Sequence, residues 1–156
     1  MKLAMALVAV FIFLMPMASP VFAHCEIPCG IYDDETRCTM IAEHITTIEK
    51  SINQIVALSK EESLNYNQIV RWVDNKEHHA NELQHIVTQY FMTQRLKPVD
   101  QADSKAYSEY IKKLELLHQM LVYAMKAKQT VDLENVEKLR SLLAEFRTAY
   151  FGKHVH

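Results

Sequence analysis

The chain has 156 residues, 49% of them hydrophobic and 23% charged, with a formal net charge of -2. That length suffices for one domain with a sizeable core and not for two. The near-neutral balance, without a basic block or basic-aromatic interleaving, excludes a nucleic-acid reading, and the lack of a phosphate loop, dinucleotide fingerprint or nucleophilic triad leaves kinase, dehydrogenase and hydrolase readings unsupported.

The first 23 residues read as a secretory leader. Lys2 gives a positive start, Leu3 to Met15 form an uncharged apolar run, and in Val21-Phe22-Ala23 the valine at the third position and the alanine at the last before a cut after Ala23 fit the small-residue rule. The apolar run is short for a membrane span, which needs about 20 residues, so a retained anchor is the weaker reading. Residues 1–23 are therefore expected to be a cleaved signal peptide and residues 24–156 the exported domain. Export places the mature chain in a periplasmic, lumenal or secreted location, with no stable membrane anchor after cleavage by a signal peptidase or an equivalent protease. Losing Lys2 takes the formal charge to -3.

Cleavage turns His24 into an N-terminus, at the head of His24-Cys25-Glu26-Ile27-Pro28-Cys29-Gly30-Ile31-Tyr32-Asp33-Asp34. A free amine, an imidazole, the Cys25 backbone nitrogen and two thiolates then lie within six residues. Thiolates are soft ligands, and amine and deprotonated amide nitrogens favour a planar field. Square-planar nickel(II) fits that set better than tetrahedral zinc, with copper(II) the main competitor. The His24 imidazole can add an axial ligand when the metal is oxidised. Loading requires deprotonation of a terminal amine, which ordinarily titrates at about 7.7 to 8.0, so it weakens as pH falls. Pro28 restricts the chain between the sulfurs, Gly30 permits a positive φ, and Tyr32 can stand over an open metal face. The bland alternative is a local Cys25–Cys29 disulfide, although three cysteines are an odd number for a paired framework.

Beyond this hook the chain has one proline, Pro98, and one glycine, Gly152, a scarcity that points to long helices. Between Asp33 and about Ser59, Ile41, Ile45, Ile48, Ile52 and Ile55 fall on one face. A second stripe runs through Ile69, Val73, Ala80, Leu83, Val87 and Tyr90 to a break at Pro98, and Lys97 to Gln101 is the expected longer loop. A third follows the cap residues Asp103-Ser104 through Tyr107, Ile111, Leu114, Leu117, Leu121 and Met125. The fourth starts near Asp132, carries Val136, Leu139, Leu142, Leu143, Phe146 and Tyr150, and ends at Gly152. The expected fold is all-α: an antiparallel up-down four-helix bundle with an N-terminal metal-binding hook. A coiled coil could use the same isoleucines, but the short connections favour the compact bundle.

Two Glu-x-x-His pairs, Glu82 with His85 and Glu115 with His118, offer a rival chemistry, because di-iron bundles use two such pairs pointing inward. The stripes put Leu83, Val87, Leu114 and Leu117 at the core, which leaves these glutamates toward the edges. An exported metal-binding bundle without turnover is the other alternative. His78 and His79 suit a solvated face or subunit contact, Cys38 a buried small hydrophobe.

At His24, Cys25, Pro28, Cys29, Gly30 and Tyr32 the sequence resembles the nickel-containing superoxide dismutases, whose mature terminus reads His-Cys-x-x-Pro-Cys-Gly-x-Tyr. The resemblance implies disproportionation of superoxide by nickel alternating between divalent and trivalent states, one nickel ion per subunit, on four-helix subunits assembled as a homohexamer. It makes residues 24–32 the nickel hook, with His24, Cys25 and Cys29 as metal ligands. Tyr32 would line the access path, and Tyr90 in Gln89-Tyr90-Phe91 resembles the family's second tyrosine near the metal. Two departures stand out: the family's glutamate beside the axial histidine has only Glu43 as a loose counterpart, and its arginine position falls at Asn75.

Overall fold

The computed structural model describes residues 30–152. His24, Cys25 and Cys29, the expected signal peptide and the tail histidines His154 and His156 lie outside the described residues. Within them are four α-helices: α1, Asp34–Leu58; α2, Tyr66–His85, which runs directly into a π-helix, Ile86–Arg95; α3, Ser104–Gln129; and α4, Glu134–Phe151. The all-α four-helix bundle expected from the periodicity is the observed architecture. Helix α1 packs on α2 and α4, and α3 packs on α4 and α2. No helix among the described residues is long and apolar enough to cross a membrane.

Polar caps set the helix starts. The Asp33, Asn65 and Asp103 side chains accept hydrogen bonds from the backbone N–H groups of Thr36, Gln68 and Ala106, at 2.9, 3.2 and 3.0 Å. Each satisfies one of the donors that a first helical turn leaves free. The α4 helix ends at Gly152, whose φ of 85° lies in the left-handed region that glycine adopts without penalty.

The isoleucine face of α1 is fully realised: Ile41, Ile45, Ile48, Ile52 and Ile55 are all buried, together with Cys38. In α4, Val136, Leu139, Leu142, Leu143 and Phe146 are buried as well. Helix α3 differs from expectation. Ile111 and Met125 are exposed, and the buried face runs through Leu116, Leu117, Met120, Ala124 and Ala127. Small alanines there let neighbouring backbones approach, so the larger side chains of the expected stripe sit at the edges of the contact. The start of α2 also stays open, with Tyr66 and Val70 exposed and Ile69 and Val73 only half-buried.

Polar links tie the helices together inside this core. Ser51, fully buried on α1, donates to the Thr47 carbonyl and accepts from Asn75 Nδ2 on α2 at 2.9 Å. Lys76 on α2 donates from Nζ to the carbonyls of Lys128 and Thr130 at 2.6 and 2.9 Å, satisfying acceptors at the C-terminal end of α3. Arg140 pairs with Glu49, and Arg147 with Glu35, joining α4 to α1.

Candidate functional site

The described part of the site begins at Gly30, whose φ of 77° is the left-handed conformation anticipated for it. Two residues on, Tyr32 is partly exposed, and Asp33 caps α1. Asp34, the first residue of α1, collects four hydrogen bonds on its carboxylate. Tyr90 donates its hydroxyl to Oδ1 at 2.5 Å, and Tyr150 donates to Oδ2 at 2.9 Å. Arg95 donates from Nε to Oδ1 at 2.8 Å and from Nη2 to Oδ2 at 2.7 Å. Three residues distant in sequence thus converge on one carboxylate.

The π-helix makes this convergence possible. Its ladder joins residue i to residue i+5, as in the Leu96 N–H donating to the Phe91 carbonyl at 2.8 Å. Tyr90 and Arg95 are five residues apart and so lie on the same side. On an α-helix of 3.6 residues per turn they would point about 140° apart. Isolated π turns recur at functional sites. Here the π-helix brings a phenol and a guanidinium to the same acid.

Arg95 also orders Tyr32. Its guanidinium carbon lies 4.3 Å from the centroid of the Tyr32 ring, a cation–π stack, and the Tyr32 and Tyr90 rings meet edge to face at 6.0 Å between centroids. Arg37 approaches the Tyr90 ring at 5.1 Å. The two tyrosines singled out in the sequence are therefore neighbours, flanked by two cationic side chains. Behind them Tyr90 packs edge-on against Phe91, which packs against Phe146 and Tyr150.

The electrostatics follow from these bonds. Partial burial raises the Asp34 carboxyl, but hydrogen bonds from Arg95, Tyr90 and Tyr150 outweigh it and hold it below the ordinary 3.8. Burial, and then the hydrogen bond to the Asp34 carboxylate, push the Tyr90 hydroxyl well above its usual range. Tyr150 moves the same way for the same reasons. Tyr90 therefore remains protonated at any physiological pH.

Other sequence candidates fall elsewhere. Glu43 is exposed, and Asn75 is occupied with Ser51. The two Glu-x-x-His pairs do not converge: His85, Glu115 and His118 are exposed, and among the described residues no three histidine, cysteine, aspartate or glutamate side chains meet as a metal cluster. Cys38 is fully buried, and burial pushes its thiol up to about 12. Sequence reasoning missed Asp34, Arg95 and Tyr150 as a unit. The available signal was an acid directly behind the hook, but its partners lie 56, 61 and 116 residues away.

A model of the nickel-containing superoxide dismutase family matches residues 19–154, a span that includes the whole hook and all four helices. No curated protein and no solved structure matches the chain. On the strength of that nearly complete match, the chain belongs to the nickel-containing superoxide dismutases, oxidoreductases with a nickel cofactor that act on superoxide.

Proposed function

We propose that the chain becomes active on cleavage after Ala23, with nickel held by the terminal amine of His24, the backbone nitrogen of Cys25 and the thiolates of Cys25 and Cys29. The His24 imidazole would supply a further nitrogen donor. The chemistry of the donor set fits the metal, since two soft sulfurs and two strongly donating nitrogens suit a planar late transition metal. The observation that carries the reading is the coincidence of this donor set with a cleavage signal, inside a stretch the family match covers from residue 19. Family membership makes the chain an enzyme, and so sets aside a carrier without turnover.

When bound, nickel supplies one-electron exchange by alternating between divalent and trivalent states. Two superoxide anions and two protons then give one dioxygen and one hydrogen peroxide. The protein's own residues handle access. Arg37 presents positive charge beside the tyrosine pair, whereas the charge of Arg95 is matched by Asp34, so attraction of an anion there rests on Arg37. Tyr32 is held flat under Arg95, and Tyr90 is fixed by Asp34, so the two rings are held as one rigid pair, the pair that on this reading would line the access path. The Tyr90 hydrogen is committed to Asp34. Its oxygen faces the Asp33 backbone N–H, so on this reading solvent rather than Tyr90 supplies the protons for peroxide.

The same reading makes the chain exported and, as in its family, a homohexamer with one nickel per subunit. The test compares protein beginning at His24 with protein extended by Ala23, both reconstituted with nickel. About one nickel per chain and superoxide consumption only in the cleaved form are expected, because a peptide-bonded nitrogen cannot act as an amine ligand. Turnover by the extended form, or by Cys25→Ser or Cys29→Ser, would overturn the ligand assignment. Sedimentation of the cleaved form reads the oligomer.

A further inference from the structure

Tyr32 is exposed, yet its ring is held from two sides. The Arg95 guanidinium lies 4.3 Å from the ring centroid on one face, and the Tyr90 ring meets it edge to face at 6.0 Å between centroids. A planar cation fixes one face of a phenol, and an edge contact fixes its tilt. Each support is only as rigid as its own anchor. Arg95 donates two parallel hydrogen bonds to Asp34 at 2.8 and 2.7 Å, and Tyr90 donates its hydroxyl to the same carboxylate. Both supports of Tyr32 thus hang from Asp34, which Tyr150 ties to α4 as well.

The fork also decides what Arg95 can contribute. Guanidinium and carboxylate sum to zero charge, so a passing anion meets little net field from the pair. What remains is shape: a flat, oriented face against which a phenol lies. Lysine would carry the charge without the plane or the fork. The place of Tyr32 in the chain gives that face its leverage. Tyr32 is three residues after Cys29, and an extended chain spans at most about 3.6 Å per residue, so the two α-carbons stay within about 11 Å of each other.

We propose that Asp34 and Arg95 are positioning residues for superoxide turnover: the fork holds the Arg95 face, and that face holds the Tyr32 ring beside Tyr90 in the orientation that turnover uses. The assignment rests on the proposed nickel hook and adds two residues that are not among its ligands. Asp34 acts through Arg95 and Tyr90, and Arg95 acts through Tyr32.

The test uses the chain beginning at His24. In the nickel-free protein, nuclear magnetic resonance with ring-labelled tyrosine reads the contact between the Tyr32 and Tyr90 rings, with Tyr32→Phe assigning the signal. In the nickel-loaded protein, metal content and the rate constant for superoxide are measured at low and high salt. Arg95→Lys and Asp34→Asn should lose the ring contact, keep about one nickel per chain and consume superoxide roughly tenfold more slowly, since small misplacements at a reacting centre are costly. Lys76→Ala, which disturbs the end of α3 instead, should keep both the contact and the rate.

Charge and position predict opposite signs for Asp34→Asn. Freed of its acid, Arg95 would add attraction for an anion, so a rate that rises, with a steeper fall in salt, overturns the proposal. Unchanged rates in both variants overturn it, and so does a ring contact that survives in both. Arg95 is half-buried, so Arg95→Lys keeps the fold even where Asp34→Asn loosens the start of α1, and circular dichroism checks both. A parent chain that binds no nickel or consumes no superoxide overturns the hook reading and the turnover role with it. Loss of rate in nickel-loaded variants of an active parent isolates the fork.

Discussion

Asp34 and Arg95 are joined by two parallel hydrogen bonds, from Nε to Oδ1 and from Nη2 to Oδ2, at 2.8 and 2.7 Å. Such a fork fixes the orientation of both groups as well as their distance. The guanidinium that grips Asp34 with its edge offers its face to Tyr32, and so the start of α1 and the end of the π-helix form one unit with the residue leading out of the hook.

Removing that acid should loosen the unit. Asp34→Ala leaves Arg95, Tyr90 and Tyr150 without their acceptor, and hydrogen bonds to charged groups are worth roughly 1.5 to 3 kcal/mol each in isolation, less when lost together. A loss of roughly 2 to 4 kcal/mol is expected in urea unfolding, with Tyr90→Phe costing about 1 kcal/mol. Equal, negligible losses in both variants would contradict the geometry.

The same carboxylate sets a pH dependence. Its folded pKa is depressed below 3.8, so as pH falls the unfolded chain takes up the proton first. The stabilisation is complete above the unfolded value and disappears as pH falls through the lower folded one. Unfolding free energies of the parent and Asp34→Asn, measured from about pH 6 to about pH 2, should therefore converge at the acid end. A constant gap across the range would show that Asp34 is not the titrating group.

Two methionines on α3 distinguish the observed face from the one periodicity suggested. Met120 is fully buried and Met125 is 41% exposed. Met120→Ala should cost about 2 to 5 kcal/mol through lost burial and a cavity, whereas Met125→Ala should stay within about 0.5 kcal/mol. Chemical denaturation of both variants measures the contrast, and a reversed order would refute the assignment of the buried face.

Lys76 offers a polar counterpart. It is 4% exposed, and its ammonium serves two carbonyls that close α3. Lys76→Ala should destabilise by roughly 1.5 to 3 kcal/mol, with amide exchange accelerated first at the end of α3. Unchanged exchange there would remove Lys76 from that role.

Much of the bundle was legible because its signals are local. The isoleucines of α1 repeat at steps of four and three, and Asp103 and Gly152 mark a start and a stop by chemistry each residue carries alone. What sequence hid is relational. On an ideal α-helix Tyr90 and Arg95 diverge, and only the π ladder aligns them. His44 gives no sign of its partner on another helix, His79, whose Nδ1 stands 2.8 Å from its own. Helix α3 misleads because isoleucine and methionine outrank alanine in hydrophobicity, yet closeness of approach decides which face is covered.

The burial of Cys38 bears on how the hook keeps its sulfurs. Thiol–disulfide exchange proceeds through the thiolate, and a thiol raised to about 12 is ionised at neutral pH in roughly one molecule in a hundred thousand. In the unfolded chain all three thiols are ordinary, and Cys38 can capture Cys25 or Cys29 under oxidising conditions. Once α1 packs, Cys38 is quarantined and the odd thiol is removed from competition. If Cys25 and Cys29 hold the metal as proposed, collapse of the bundle before oxidation would keep Cys38 from mispairing with them, and helix formation would be a safeguard for metal loading.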